Sequence, residues 1–397
     1  MGLQTIRFCS GCLAAALLLI APQATAMDAA TLPAATANAM AQAASPQAIA
    51  EYRYLLKQYQ QARAEFEQEA GAYWSAIADK RRGRNAKRRE HQPILLDDYV
   101  LTQPPVYAGP KRPVNPLPEP EHPPRVHKPI PVVADLLQAA AEQYQFRPRL
   151  PASEIEFKRA YARVAAAAGL TREQAVRVYS FETGGTGNYN VQSGIEHGGT
   201  RAISTAIGYN QLLTTNSVDL MAEQGPELVR ALTARAAALS GAPRQAMDRK
   251  IAVLRQMVAF TRSVPDEWGE HAKLADTPKG WAVHAMVLDI DVGPLLQTHK
   301  LLTSVIFARA KGYTRPLTAA ELEMMNLTGD GTGLDMVTMP QAMREQVPTA
   351  NFFQRNGYER NPVAIRHNTV AKLLDVTDSR MDSNSHLQGA KDLASAF

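Results

Sequence analysis

Cysteine, long apolar runs and excess charge of one sign are all scarce in this sequence of 397 residues. The 2 cysteines cannot supply a disulfide scaffold or a cysteine-based zinc site. After residue 30 no apolar run approaches the ~20 residues of a transmembrane helix, which excludes a multi-span membrane protein. A formal charge of +5 is mild for this length and gives little support for a polyanionic partner. The length itself exceeds one ordinary domain of ~100–200 residues.

The first 26 residues have the layout of a cleavable signal peptide. Residues 1–7 are weakly basic, residues 13–20 are apolar, and Ala-Thr-Ala at 24–26 is a small-x-small cleavage site. We therefore expect a periplasmic protein whose mature chain begins near Met27. Both cysteines, at positions 9 and 12, leave with this leader.

The segment 27–90 predicts a long helix that ends in a basic run. Ser45-Pro46 supplies an N-cap and a first-turn proline, and aromatic residues recur at every seventh position from Tyr52 to Tyr73. This apolar stripe is either an ordinary packing face or a contact for an envelope protein partner or a second copy. Seven of the ten residues in 80–89 are Lys or Arg. They form either a solvated linker or a peripheral contact with acidic phospholipids or anionic wall polymers, and export argues against nucleic acid.

Proline divides the chain. Residues 91–132 contain nearly half of the 26 prolines, which predicts an extended, polyproline-like linker. Residues 133–397 are predicted to be mainly helical, because strand-like alternation is scarce and capping-box patterns begin at Ser153, Thr171 and Thr318. Further helices are predicted at about 217–224, 226–240, 243–263, 281–291 and 294–311.

Glu182 is the strongest candidate for a catalytic group. The stretch from Thr171 to Phe181 predicts a helix, and Gly184-Gly185 end it, so that Glu182 lies in the last turn. The negative end of the helix dipole and the apolar neighbours both raise the pKa of a carboxyl group at this position. A raised pKa lets the group hold a proton near neutrality, as a general acid must.

Two further motifs accompany Glu182. Residues 204–212 read Ser-x-Ala-x-Gly-x-x-Gln-Leu and precede a new helix. With the Glu-Thr at the helix end, this pattern resembles the lysozyme-like catalytic domain of the lytic transglycosylases, over about residues 152–357. The resemblance implies that Glu182 is the only catalytic acid and base and that the turn carrying Gly208, Tyr209 and Gln211 lines the sugar cleft.

The third motif of that family is matched only in part. The family has Ala-Tyr-Asn-x-Gly, whereas residues 324–329 read Met-Met-Asn-Leu-Thr-Gly. Asn326 matches and is a candidate for positioning glycan. Met325 stands where the family has Tyr, and Tyr358 is a candidate replacement.

The resemblance implies cleavage of the bond between N-acetylmuramic acid and N-acetylglucosamine in peptidoglycan. Glu182 would protonate the bridging oxygen while the substrate's 2-acetamido group stabilises the charge at C1. The carboxylate would then take the proton from O6, which closes a 1,6-anhydro ring, and no metal or cofactor is required.

Two alternatives stay open. One is a hydrolytic muramidase, for which Glu196 is the best second carboxylate. The other is a non-catalytic, peptidoglycan-binding envelope assembly factor. His284, Asp289 and Asp291 match no metal-ligand spacing, and we interpret them as structural polar residues.

Overall fold

The computed structural model describes residues 45–117, 129–195 and 201–397, and these are mainly helical. The prediction of a mainly α protein is therefore confirmed. Within these ranges there is no strand, only two isolated bridges that join Ile207 to Gln192 and to Leu212. No helix in the same ranges combines the length and the apolar character needed to span a bilayer. The predicted signal peptide and Glu196 lie outside the described residues.

The described α-helices, in chain order, are α1 Pro46–Arg89, α2 Val133–Tyr144, α3 Glu154–Ala167, α4 Arg172–Glu182, α5 Thr214–Ala237, α6 Gly241–Thr261, α7 Trp268–Ala275, α8 Pro278–His284, α9 Gly293–Ala310, α10 Ala319–Thr328, α11 Asp330–Thr338, α12 Gln341–Arg344, α13 Arg355–Glu359, α14 Pro362–Arg366, α15 Val370–Ser385 and α16 Gln388–Ala396. Short 3-10 turns occupy Leu96–Asp98, Ala285–Leu288 and Thr349–Phe352. The capping boxes at Thr171 and Thr318 form as predicted, with each side chain bonded to the backbone of its partner.

The predicted break before Pro226 is wrong. Helix α5 continues through this proline, although proline removes one backbone N–H and leaves the carbonyl four residues earlier without its partner. That carbonyl belongs to Ala222, and Arg262 Nε donates to it at 2.6 Å. The side chain of a neighbouring helix end thus replaces the lost helical bond. The predicted helix 281–291 is also shorter, because α8 ends at His284 and the chain continues in a 3-10 turn.

The described chain falls into two compact units. We call residues 129–345 and 369–397 the core unit, and residues 45–117 and 346–368 the arm unit. The sequence assigned 346–368 to the same domain as the rest of 133–397, whereas these residues pack with α1 and the segment that follows it.

Within the arm unit, the basic run is part of α1 and is not a linker. Arg81 donates to the backbone oxygens of Asn351 and Phe353 at 3.0 and 2.9 Å, which joins α1 to the 346–368 segment. Arg84 is buried, and its guanidinium carbon lies 4.3 Å from the centroid of the Tyr99 ring. Several of the cations therefore hold the arm unit together.

The apolar stripe of α1 is partly an internal packing face. The ring of Tyr107 lies 6.2 Å from that of Tyr59 and 5.4 Å from that of Phe66. Tyr73 donates its hydroxyl to the Thr102 oxygen at 2.9 Å. The described part of the proline-rich segment thus lies along the helix. Leu55 keeps 40% of its surface exposed, so a partner contact at the start of the helix stays a prediction.

The core unit has two apolar clusters. One is built mainly from α2, α5, α6 and α8, and the other from α3, α4, α9, α10 and α16. The second cluster surrounds α4, which also packs against α15. Glu182 is the last residue of α4, so its backbone is held by a helix that packs on several others of this unit.

Candidate active site

Helix α4 is fixed at both ends. At its start, Thr171 and Gln174 form the reciprocal cap, and Gln174 Nε2 also donates to the Leu317 oxygen at 2.8 Å. At its end, Thr183 Oγ1 and Thr183 N both donate to the Tyr179 oxygen, at 2.7 and 3.0 Å. The position and direction of Glu182 are therefore set by bonds on either side of it.

A loop with two left-handed glycines follows Glu182. Gly184 and Gly185 have φ of +65° and +75°, a region in which other residues are strained. A Cβ on Gly185 would lie 2.3 Å from the Asn384 oxygen, so only glycine allows this approach to α15. The loop 183–195 lines an open cavity of about 390 Å³. Thr183, the residue after the candidate acid, is among the lining residues of this cavity, whereas Glu182 is not.

The Glu182 side chain lies between solvent and the core. The residue is partly exposed, whereas its Oε2 atom is buried and receives no hydrogen bond from the described residues. Asn326 Nδ2 donates to Glu182 Oε1 at 3.1 Å. Burial raises the pKa of Glu182 to about 7, and the Lys300 charge and the bond from Asn326 only partly oppose it. The direction is the one expected from the apolar neighbours and the helix end, and burial is its largest cause.

Glu323 is a second carboxyl group at this site, and the sequence analysis missed it. It is fully buried in α10, one turn before Asn326, and lies within hydrogen-bonding reach of Glu182. Neither of its oxygens receives a hydrogen bond from the described residues. Burial and the charge of Glu182 raise its pKa well above the usual range. The spacing Glu-x-x-Asn, which puts both side chains on one helix face, was the available signal.

The predicted glycan-binding turn is a tight backbone turn. Ile207 and Leu212 exchange backbone hydrogen bonds at 2.9 and 3.0 Å. Gly208 has a φ of +83°, and a Cβ there would lie 2.0 Å from Gln297 Nε2. Gln211 has a φ of +42°, and its Nε2 donates to the Gly208 oxygen at 2.8 Å. Gly208 and the Gln211 amide therefore shape the turn itself.

Tyr209 does not face a cleft, contrary to expectation. Its side chain is fully buried, and the ring lies 4.9 to 5.4 Å from those of Phe157, Tyr161 and Tyr179 in edge-to-face contacts. Its hydroxyl donates to Glu154 Oε1. A side chain enclosed in this way cannot touch a ligand, so Tyr209 anchors the turn to α3 and α4.

Tyr358 and Met325 are also packing residues. Tyr358 belongs to the arm unit, where its ring lies 5.7 Å from that of Trp74 and 6.1 Å from that of Phe353. The structure therefore gives no support for Tyr358 as the replacement aromatic. Met325 is fully buried in the second apolar cluster, so the family's Tyr position carries a core side chain here.

The acidic residues considered for a metal are engaged in an ion-pair network. Lys250 Nζ contacts Asp289 Oδ1 at 2.7 Å and also Asp291 Oδ2, and all three side chains are buried. His284 lies apart from them, with Nδ1 2.7 Å from Ser217 Oγ, and burial lowers its pKa to about 4. These residues stabilise the fold around the end of α8.

Another group with ligand-like atoms is formed by Asp219 on α5, His271 on α7 and Asp266 in the segment before α7. One donor atom each from Asp219, Asp266 and His271 lies within 4.8 Å of the others. His271 Nδ1 is 2.7 Å from Asp219 Oδ1, and this bond raises the pKa of the imidazole. The other ring nitrogen, Nε2, is buried without an acceptor, whereas a metal-bound histidine usually donates its second N–H to one. We therefore interpret the contact between His271 and Asp219 as an ion pair and not as part of a metal site.

Comparison of the chain with protein-family models, with curated proteins and with solved structures found no match in any of the three.

Proposed function

We propose that this protein is an exported peptidoglycan lytic transglycosylase whose core unit is a lysozyme-like domain with Glu182 as the single general acid and base. The observation that carries the proposal is the Glu182 carboxyl at the end of α4, with a buried Oε2, a pKa of about 7 and a hydrogen bond from Asn326. The loop that follows it, from Thr183 onward, lines an open cavity. The sequence motifs at 182–183, 204–212 and 326 support the same assignment.

Glu182 is suited to both proton transfers of this reaction. With a pKa near neutrality it holds a proton and can give it to the oxygen that leaves C1 of the muramic acid. The carboxylate so formed then accepts the proton of the O6 hydroxyl, and O6 forms the new bond to C1. One C–O bond breaks, another forms, Glu182 regains its proton, and no water is consumed.

The position of Glu323 favours this single-acid route over a hydrolase with two carboxylates. Retaining glycosidases hold their carboxyl groups about 5–5.5 Å apart, and inverting ones hold them about 6.5–9.5 Å apart. Glu323 is within hydrogen-bonding reach of Glu182 and fully buried, so it can neither attack C1 nor activate a water on the opposite face. Glu196 lies outside the described residues and keeps its place as the alternative second carboxylate.

The test is digestion of purified sacculi by the full mature chain, followed by mass spectrometry of the released fragments. Muropeptides that end in 1,6-anhydro-muramic acid are expected, and Glu182→Gln should reduce their release by at least about 100-fold, the contribution typical of a general acid. Glu173→Gln is the matched control, because Glu173 is exposed in the first turn of the same helix. Fragments that end in reducing muramic acid would indicate a muramidase instead.

The second candidate function is a non-catalytic peptidoglycan-binding assembly factor, which the buried Met325 favours because no cleft aromatic stands at that position. Binding of the parent chain to sacculi without release of fragments would support it. Parent turnover that is lost in Glu182→Gln while binding persists would reject it.

The arm unit is proposed to act as the contact with the envelope. Arg82 and Arg89 are exposed on α1 and can contact acidic phospholipid headgroups or anionic wall polymers. The exposed start of the helix can contact a protein partner.

Periplasmic fractionation tests the proposed periplasmic location of the protein. Sedimentation of the chain with anionic but not neutral vesicles tests the lipid contact.

A further inference from the structure

We propose that Glu323 is a permanently neutral carboxylic acid that donates a hydrogen bond to Glu182 and thereby positions and stabilises the Glu182 carboxylate formed during the reaction. The role of Glu323 in the reaction rests on the proposed function, whereas its neutral state does not. Glu323 acts through Glu182 and is a positioning residue.

The first support is an excess of buried acceptors. Glu182 Oε2, Glu323 Oε1 and Glu323 Oε2 are all buried, and none receives a hydrogen bond from the described residues. A buried acceptor without a donor costs about 1–3 kcal/mol, and more if it is charged. A proton on Glu323 turns one of these three acceptors into a donor that faces another. A hydrogen bond from that proton to Glu182 Oε2 leaves one of the three oxygens without a partner instead of all three.

The second support is the charge around Glu323. Glu182 on α4 repels a charge on Glu323, and Lys300 on α9 is the cation that acts on both groups. Asp330, at the start of α11, is a third acid that interacts with the Lys300 charge. It also accepts a hydrogen bond from Ser304 Oγ. One cation among three acids favours at least one neutral carboxyl group, and Glu323 is the most deeply buried of them.

Helix α15 also packs on α4 and α10. Its Lys372 and Asp375 are exposed, and its other charged side chains are engaged elsewhere. Arg177 on α4 bonds Asp378 and Asp382, each at 2.8 Å. The guanidinium of Arg380 lies over the Phe181 ring, 5.1 Å from its centroid. The protonation state of Glu323 is therefore set by burial and Glu182, which raise its pKa, against Asn326 and Lys300, which lower it.

Neutral Glu323 has a definite task in the proposed reaction. Burial alone would make Glu182 a very weak acid, slow to release its proton. A donor aimed at its carboxylate stabilises the form that appears as the proton leaves. An apolar site that keeps a carboxylic acid neutral so that it can donate is an established device in other enzymes. Asn326 supplies the second donor, at Glu182 Oε1.

The protonation of Glu323 can be measured without any activity assay. Infrared difference spectroscopy of the full mature chain should show a protonated carboxyl band that persists at pH 9, where Glu182 with its pKa of about 7 is ionised. At pH 9 the band should vanish in Glu323→Gln and persist in Glu182→Gln and in the control Glu173→Gln. A band that is absent at pH 9, or one that Glu323→Gln leaves intact at that pH, overturns the proposal.

The pH profile of sacculus digestion then tests the role. Glu323→Leu removes the donor, so the Glu182 carboxylate is less stable and the upper midpoint of activity should move up by about one to two pH units, with a large loss of rate. Glu323→Gln keeps a neutral donor, so its midpoint should stay near that of the parent and its loss of rate should be smaller. Equal profiles for the two variants would contradict the role. Activity that survives in Glu182→Gln would refute the proposed function, while the infrared result would stand by itself.

Discussion

The titration of Glu182 predicts that this side chain destabilises the folded protein as the pH rises. Its pKa is about 7 in the folded state against an ordinary value of 4.5. Between these two values the folded state binds more protons than the unfolded state, so the free energy of unfolding falls with increasing pH. At 1.36 kcal/mol per pH unit, a gap of about 2.5 units costs about 3 kcal/mol by pH 8.

Replacement of Glu182 by Gln removes this dependence. Below pH 4.5 the parent carboxyl is neutral in both states, so the variant should differ from the parent only by the small effect of the altered contact. Across pH 4.5 to 7 the variant should gain on the parent by about 3 kcal/mol, and at pH 8 it should be the more stable of the two. An inactive variant that is more stable than its parent is the expected sign of a site that sacrifices stability for chemistry.

Urea unfolding of the two proteins at a series of pH values between 4 and 8, followed by circular dichroism, measures the difference. The control is Glu173→Gln, an exposed change on the same helix whose effect should stay within about 0.5 kcal/mol at each pH. A difference between Glu182→Gln and the parent that does not vary with pH would refute the raised pKa. Burial of Glu182 would then no longer support its proposed role as a general acid.

Three further changes test other parts of the structure by urea unfolding. Gly208→Ala should destabilise the core unit by about 2–4 kcal/mol, because the new Cβ meets Gln297 Nε2 and the backbone is left-handed. Lys250→Met should cost about 3–5 kcal/mol, because it leaves the buried Asp289 without its cation. Arg84→Met should cost about 2–3 kcal/mol in the arm unit, since it removes a buried cation that donates to backbone oxygens. A change below about 0.5 kcal/mol would contradict the corresponding argument.

Local signals predicted the framework of the site. Thr171 and Gln174 mark where α4 begins, and the glycines at 184 and 185 mark where it ends, so the position of Glu182 followed from the sequence. These signals work because caps and left-handed glycines act on the nearest few residues. The same kind of signal misled at Pro226, because a side chain from another helix end satisfies the carbonyl that proline leaves free.

Long-range contacts could not be predicted in this way. In the sequence, Glu323 does not differ from any other acid in a helix. Only the packing of α10 against α4 brings it to Glu182. Tyr209 lies in the turn that resembles a glycan-binding motif, yet three aromatic residues from α3 and α4 enclose its ring. The pairing of Arg81 with residues 351 and 353 joins parts of the chain that are far apart in sequence. Nothing in the local sequence specifies such pairs.

Two groups of buried acids in the core unit show how a structural cluster differs from a candidate site. Asp289 and Asp291 are held by Lys250 and accept backbone or side-chain hydrogen bonds, so their charges are satisfied and their role is structural. Glu182 and Glu323 make no ion pair among the described residues and keep three buried oxygens without donors. If Glu182 and Glu323 served only the fold, apolar side chains at these positions would make the protein more stable, because burial of unpaired acids costs free energy. Buried acids with raised pKa values, one residue before a loop that lines an open cavity, are candidates for proton-transfer chemistry.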